Sequence, residues 1–440
     1  MKSKLHFTTV LILLLAACGT SKKMTTLRTY PQIPLLENKP ADSKLLTDLL
    51  AQNAEKLGTV VNNKDSFRLQ IVFTQIDRDE KNTPHFTHHF YHVNDQYFYP
   101  ASTIKFPTAV LALEKLNDLK LPGVNAQTTM LTDSAWANQT VVNNDPTSVT
   151  GKPSVAQYIK KILLVSDNDA YNRLYEFIGQ KPLNDRLHGL GFKDAQLLHR
   201  LSIPLSQEDN RHTNPIRFAD SAGKIIFTQP MQYSDMPYQQ RNDKLGKGYM
   251  AFGKDYYNGE TLVKEPMDFS TKNRLRLPYL HQMMQWVMFP ASQPNKSKLN
   301  LTTTDYNLLH KYMSMLPGES KYPNYAEPDY WPAYCKFLYA GSEKGEWPNK
   351  NIRIFNKVGD AYGFLLDVAY IVDFETKTEF MVSCSMLCNS DGIFNDDHYD
   401  YDSIGFPFMK NLGQILYQYE KQRTKKYLPD LSGLVFDYKK

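Results

Sequence analysis

The chain has 440 residues, of which 42% are hydrophobic and 22% charged. That is the make-up of a globular protein with a substantial core, and it excludes a disordered chain or a long coiled coil. A formal net charge of +5 without a long Lys/Arg run excludes nucleic acid as the main partner.

The first element is an address. Lys2 and Lys4 precede an apolar stretch from Val10 to Ala17. It is too short to span a bilayer and reads as an export signal. It ends Leu15-Ala16-Ala17-Cys18, which resembles a bacterial lipobox, whose cysteine receives a diacylglycerol. The resemblance implies a signal peptide over 1–17, a lipid on Cys18 and a membrane surface as partner. It places the protein in the bacterial cell envelope, facing the periplasm or the exterior. An ordinary signal peptide with a chance cysteine is the alternative. Residues 18–41 are polar and Pro-containing and read as a tether.

A helix is expected over 42–57, where apolar positions recur at helical spacing behind Asp42 and Ser43. Residues 67–76 and 86–94 read as a hairpin. Helical stretches follow at 103–117 and 154–179, the latter ending at Gly179. A second hairpin is expected at 363–372 and 379–386, then a final helix from Pro407 with Phe408, Met409, Leu412 and Leu416 on one side. A lone hairpin is barely stable, so strands from the two ends of the chain must join one sheet.

Three motifs carry chemistry. Ser102 and Lys105 lie three apart, on one face of a starting helix, so an amine can reach a hydroxyl. A serine needs such a base, and a lysine serves only if burial or a second cation lowers its pKa. Ser-x-x-Lys alone says little, because Ser221-Ala222-Gly223-Lys224 repeats it in a stretch that also reads as helical. Ser166-Asp167-Asn168 offers a proton relay and an amide, or else simply a helix cap. Lys357-Val358-Gly359 opens a strand-like run. An edge strand here can supply a backbone N–H to an oxyanion, and glycine admits close approach.

In this order the motifs resemble the Ser-x-x-Lys, Ser-Asp-Asn, Lys-Thr-Gly set of class A β-lactamases and penicillin-binding proteins. The likeness extends to Phe98–Pro107, Ser154–Leu174 and Leu187–Phe192. It is good over 65–220 and 350–425 and poor over 226–350. It implies an α/β fold of the α+β type, an antiparallel sheet flanked by helices with an inserted all-helical lobe. Residues 42–100 and 350–440 would form the α/β lobe. Residues 101–349 would form the helical lobe, including an atypical insertion over 226–349. It implies that Ser102 is acylated, that Lys105 is the base, that Ser166 shuttles the proton and that Asn168 binds substrate. Lys357 would bind a substrate carboxylate and tune the site, with Gly359 beside the substrate. The backbone N–H groups of Ser102 and Asp360 would form the oxyanion hole. No cofactor is implied.

Two departures matter. Val358 stands where the family has a threonine, so a hydrogen bond worth about 1.5–3 kcal/mol to a charged group is lost unless another residue such as Tyr362 replaces it. The loop Glu that activates the deacylating water in class A enzymes has no match. Its position holds Ser202, and Glu208 lies six residues on. The expectation is therefore a lipid-anchored serine hydrolase acting on a β-lactam or a related envelope amide or ester. The alternative is a penicillin-binding-type or catalytically weakened lipoprotein that binds cell-wall peptides. A weaker one is a scaffold whose partner docks on 226–350.

Three other features read as structural. His85, His88, His89 and His92 read as a polar strand face, since no carboxylate or Cys completes a metal site. Cys335, Cys384 and Cys388 read as small buried residues, although one pair could form a disulfide. The aromatic run over 321–334 reads as packing more than sugar stacking.

Overall fold

The computed structural model describes residues 40–94, 96–235, 250–295 and 298–438. The signal segment, Cys18 and residues 19–39 of the tether lie outside them. At the N-terminal end stand α1 (Lys44–Gln52), α2 (Ala54–Val61), β1 (Gln70–Arg78) and β2 (Pro84–Tyr91). After α3 (Lys105–Asp118), α4 (Val155–Val165), α5 (Asn168–Ile178) and α6 (Gln180–Gly189) come α7 (Leu277–Met288) and α8 (Thr303–Ser314). The chain then returns through β3 (Ile352–Ala361), β4 (Phe364–Asp373), β5 (Thr378–Leu387) and α9 (Phe406–Gln422).

The five strands form one antiparallel sheet in the order β3-β4-β5-β1-β2. Gln70 pairs with Ser385 and Gln75 with Phe380, so the two ends of the chain do meet in one sheet. Side chains alternate across it. In β1, Ile71 and Phe73 join the apolar layer under α1 and α9, while Val72 and Ile76 join the layer on the other face. Buried Leu412 and Leu416 of α9 cover the first face. On the other face lie α7, buried along its whole length, and beyond it α3, α4 and α5.

To the expected helices of the 101–349 segment the structure adds small sheets. Strand Thr129–Thr132 pairs with Ile216–Ala219, which pairs with Ile225–Gln229. Short Ile-, Phe- and Thr-bearing runs suit such ladders more than helices. The aromatic run is partly packing, with Tyr325, Tyr330 and Tyr334 in successive edge contacts. The region 154–179 is two helices, broken at Ser166, whose φ of 60° ends α4 in the left-handed conformation.

Ser221–Lys224 is a tight turn, not part of a helix. Asp220 accepts from the amides of Ala222 and Lys224, and Gly223 takes a φ of 82°. The four histidines have separate partners. His88 and His281 bond Thr74, His89 bonds Gln75, His92 bonds Leu69 and pairs with Asp65, and His85 pairs with Asp79. Cys335, Cys384 and Cys388 are buried free thiols, so the disulfide alternative does not hold among them.

Candidate active site

Ser102 sits in a turn of 3-10 helix, Ala101–Ile104, which runs directly into α3. Pro107 falls in the first turn of α3, where its missing N–H has no helical acceptor in any case. Ala101, just before the serine, has a φ of 46°, a conformation costing a non-glycine residue about 1–3 kcal/mol that tends to collect at functional sites. This turn packs on the open edge of β3. A Cβ on Gly359 would lie 2.8 Å from the Ser102 nitrogen and 2.9 Å from that of Thr103. Glycine is thus needed there for the turn that carries Ser102 to dock. Gly359→Ala is expected to cost about 1–3 kcal/mol, as overpacking does, and to displace Ser102. A thermal melt together with the rate of labelling by an activated ester checks both.

Lys105 is fully buried. Its Nζ donates to Asn168 Oδ1 at 2.6 Å, to the Ser166 carbonyl, and more weakly to Ser166 Oγ at 3.2 Å. Lys357 Nζ donates to the same Ser166 Oγ at 2.8 Å and to the Val358 carbonyl at 2.7 Å. Ser166 Oγ is therefore held between two lysine side-chain nitrogens. Burial pushes the Lys105 pKa well below its ordinary value of 10.5, and the Lys357 charge lowers it further. Burial brings Lys357 down to about 8.

The second motif divides its labour. Asp167 caps α5, accepting from the Ala170 amide at 2.8 Å. That leaves Ser166 and Asn168 on either side to face the lysines. Asn168 also donates to Ser202 Oγ at 2.8 Å, tying Lys105 to the 198–211 loop. No hydrogen bond joins Ser102 Oγ to Lys105; among the described residues the amine is aimed at the second motif. Catalytic hydrogen bonds are often long before substrate binds.

Ser202 thus stands at the loop position where a class A carboxylate was sought. Glu208 is half-exposed and pairs with Arg211 at 3.3 Å. The loop itself is pinned from below. Arg200, buried, donates to Glu176 at 2.7 Å, to the His212 carbonyl at 2.9 Å and to Asn214 at 3.2 Å. Asn172 clasps the backbone of Leu201 through both amide atoms. Arg200 and Asn172 were not singled out from sequence, because only the fold puts their partners beside them.

Two cavities have Asp360 in their lining. The first, of about 1050 Å³, is lined by Ser102, Asn168, Ser202, Glu208 and Tyr362 among others. The second, of about 610 Å³, begins at Ser166 and Val358 and runs out past Trp331 and Tyr334. Tyr362 packs edge-on against Tyr99 at 5.0 Å, in the first cavity, while Val358 borders the second.

Residues 52–236 match the model of the β-lactamase enzyme family. That stretch is similar to this family. The matched stretch holds Ser102, Lys105, Ser166 and Asn168, and β3 brings Lys357, Gly359 and Asp360 to them from outside it. Among solved structures, the chain is similar to a β-lactamase from Xanthomonas campestris pv. campestris. The identity is 13%, over 84% of this chain and 97% of that one, with a TM-score of 0.43. It is also similar to the β-lactamase of Streptomyces albus G, at 11% identity over 83% and 98% of the two chains, with a TM-score of 0.45. No curated protein matches the chain.

Proposed function

We propose that the protein is a serine hydrolase that forms an acyl-enzyme on Ser102 from a β-lactam or a related amide or ester of the bacterial envelope. The observation that carries this is Ser166 Oγ held between buried Lys105 and Lys357, one helical turn from a serine at the mouth of a cleft. In the proposed step Lys105, neutral, takes the Ser102 proton as Oγ attacks the acyl carbon. The oxyanion forms against the Ser102 and Asp360 N–H groups. Ser166 then hands a proton to the leaving atom. Asn168 borders the acyl group, Gly359 seats the Ser102 turn on β3, and Lys357 keeps Lys105 deprotonated. A lipid on Cys18 would hold this site at a membrane surface, facing the periplasm or the exterior.

The second reading, a penicillin-binding-type protein, is favoured by one observation. Ser202, not a carboxylate, meets Asn168, and Glu208 is engaged by Arg211. Without a base for water the acyl group should stay on. Intact-mass measurement over time, after adding a penicillin or an activated ester, checks both steps. The expected result is a long-lived adduct on the wild type and none on Ser102→Ala. Prompt release would favour a β-lactamase, and no Ser102-dependent adduct with either reagent would sink the proposal.

A further inference from the structure

In the proposed acylation Ser166 gives a proton to the leaving atom. Ser166 lines the second cavity and not the first, whereas Ser102, Asn168 and Ser202 line the first. The acyl group that stays on Ser102 therefore lies in the first cavity, and the charges there decide which acyl groups fit. Most of those charges are already matched. Arg200 is bound to Glu176 at 2.7 Å. Arg211 pairs with Glu208 at 3.3 Å and donates to the Ser234 carbonyl at 2.6 Å. Asp360 feels the charges of Lys357 and Lys105. His199 donates from Nδ1 to the Arg200 carbonyl at 2.7 Å, and burial brings its pKa down to about 4, so the ring is neutral. Asp397 is exposed. Lys272, half-buried, is the cation of this cavity that has no carboxylate partner among the described residues. Its amine stands over the Tyr362 ring, 5.6 Å from the centroid, and its charge reaches His199, whose ring lies parallel to that of Tyr99.

The backbone around Lys272 is held on the loop that leads to Ser202. Gln196 and Arg274 exchange amide–carbonyl hydrogen bonds at 2.8 and 2.7 Å. Asn273 Oδ1 accepts from the Leu198 amide at 2.7 Å, and the Asn273 carbonyl accepts from the Tyr97 hydroxyl at 2.9 Å. Arg274 pairs with Asp194 at 2.9 Å. Lys272 belongs to the 226–350 stretch, where the likeness in sequence is poor, so no motif pointed to it.

We propose that Lys272 is the anion anchor of the acyl subsite and selects substrates whose acyl group carries a carboxylate, as an acidic peptide or an α-carboxyl penicillin does. This rests on the hydrolase reading above and names its substrate class. The Tyr362 face steadies the amine without neutralising it, and a substrate carboxylate supplies the missing counter-charge. An ammonium on the acyl group would meet like charge, which is the repulsive way to specificity.

Three penicillins that differ only at the side-chain α-carbon test this on the full chain. Carbenicillin carries a carboxylate there, benzylpenicillin a hydrogen and ampicillin an ammonium. The ring carboxylate, on the leaving side, is common to all three. Rates of adduct formation on Ser102, followed by intact mass, should fall in that order, with carbenicillin roughly ten-fold above ampicillin. Lys272→Met should bring that ratio near one, Lys272→Glu should invert it and Lys272→Arg should keep it. A wild-type ratio at or below one, or a ratio unmoved by Lys272→Met, would overturn the anchor. If neither a penicillin nor an activated ester marks Ser102, the hydrolase reading fails by itself. In that case, or where only the ester reacts, calorimetric titration of Ser102→Ala with carbenicillin and with ampicillin decides the anchor without turnover. Tighter carbenicillin binding that is lost when Lys272→Met is added supports it, and equal or absent carbenicillin binding overturns it.

Discussion

Lys105→Met is expected to slow acylation of Ser102 by roughly 10²- to 10⁴-fold, the usual contribution of a positioned general base. The protein should nevertheless melt no lower than the wild type. Lys105 is buried with two carbonyl oxygens and a hydroxyl around its amine and no carboxylate bonded to it. Its folded pKa lies well below the 10.5 of the unfolded chain, first by burial and then by the Lys357 charge. The unfolded state therefore binds more protons, and this lysine costs stability at every pH below 10.5. Methionine removes that cost along with the base. Wild-type acylation should rise with pH through the depressed Lys105 pKa and fall above about 8, where Lys357 loses its proton. Lys357→Met should move the rising limb to higher pH, because a like charge no longer holds Lys105 down. Rates with a neutral activated ester across pH 5–10 check both variants (about 8 being the expected turning point of the wild type). A near-wild-type rate for Lys105→Met would remove Lys105 as the base.

The site's parts were unequally legible in the sequence. The five-stranded sheet was readable because its strands are buried on both faces or alternate, and because a hairpin at each end of the chain needs a partner. The lysine–serine–asparagine cluster was readable as three ordered motifs. Its wiring was not. Sequence puts Ser102 and Lys105 one turn apart, but the fold turns the amine towards Ser166 and Asn168. Gly359 suggested room for substrate, and the room is filled by the backbone of Ser102 and Thr103. Ser166–Asn168 seemed to be either a cap or a site. The cap falls to Asp167 alone, and the residues flanking it face the lysines. Ser221–Lys224 shows the limit of pattern reading. The same spacing folds as a turn when an Asp side chain and a glycine at positive φ are at hand. Trp331 and Asp402 carried no motif, since only the return of β3 and α9 sets them round one cavity.

Arg200→Ala is expected to destabilise the fold by about 3–5 kcal/mol, the cost of breaking a buried ion pair from one side. Glu176, itself buried, would keep Arg173, 3.1 Å away, but lose the 2.7 Å bond to Arg200. The carbonyl of His212 and the side chain of Asn214 would also lose their donor. The loss should depend on pH in a definite direction. Burial already raises the Glu176 carboxyl above its usual 4.5, with the two arginines pulling it back. Removing one arginine raises it further, so the folded variant takes up a proton the unfolded chain gives away. The variant's deficit should then shrink towards pH 5 and grow towards pH 8. Urea unfolding at the two pH values measures it, and a deficit under 1 kcal/mol at both would show that the loop holds without this pair. Acylation should fall as well, although Arg200 does not reach the nucleophile. Its backbone neighbours carry Leu201 to Asn172 and Ser202 to Asn168, and Asn168 in turn holds Lys105. A loosened 198–211 loop therefore reaches the base through two hydrogen bonds. Arg200→Lys, which keeps the charge but not the fork of donors, should recover part of the stability and less of the rate.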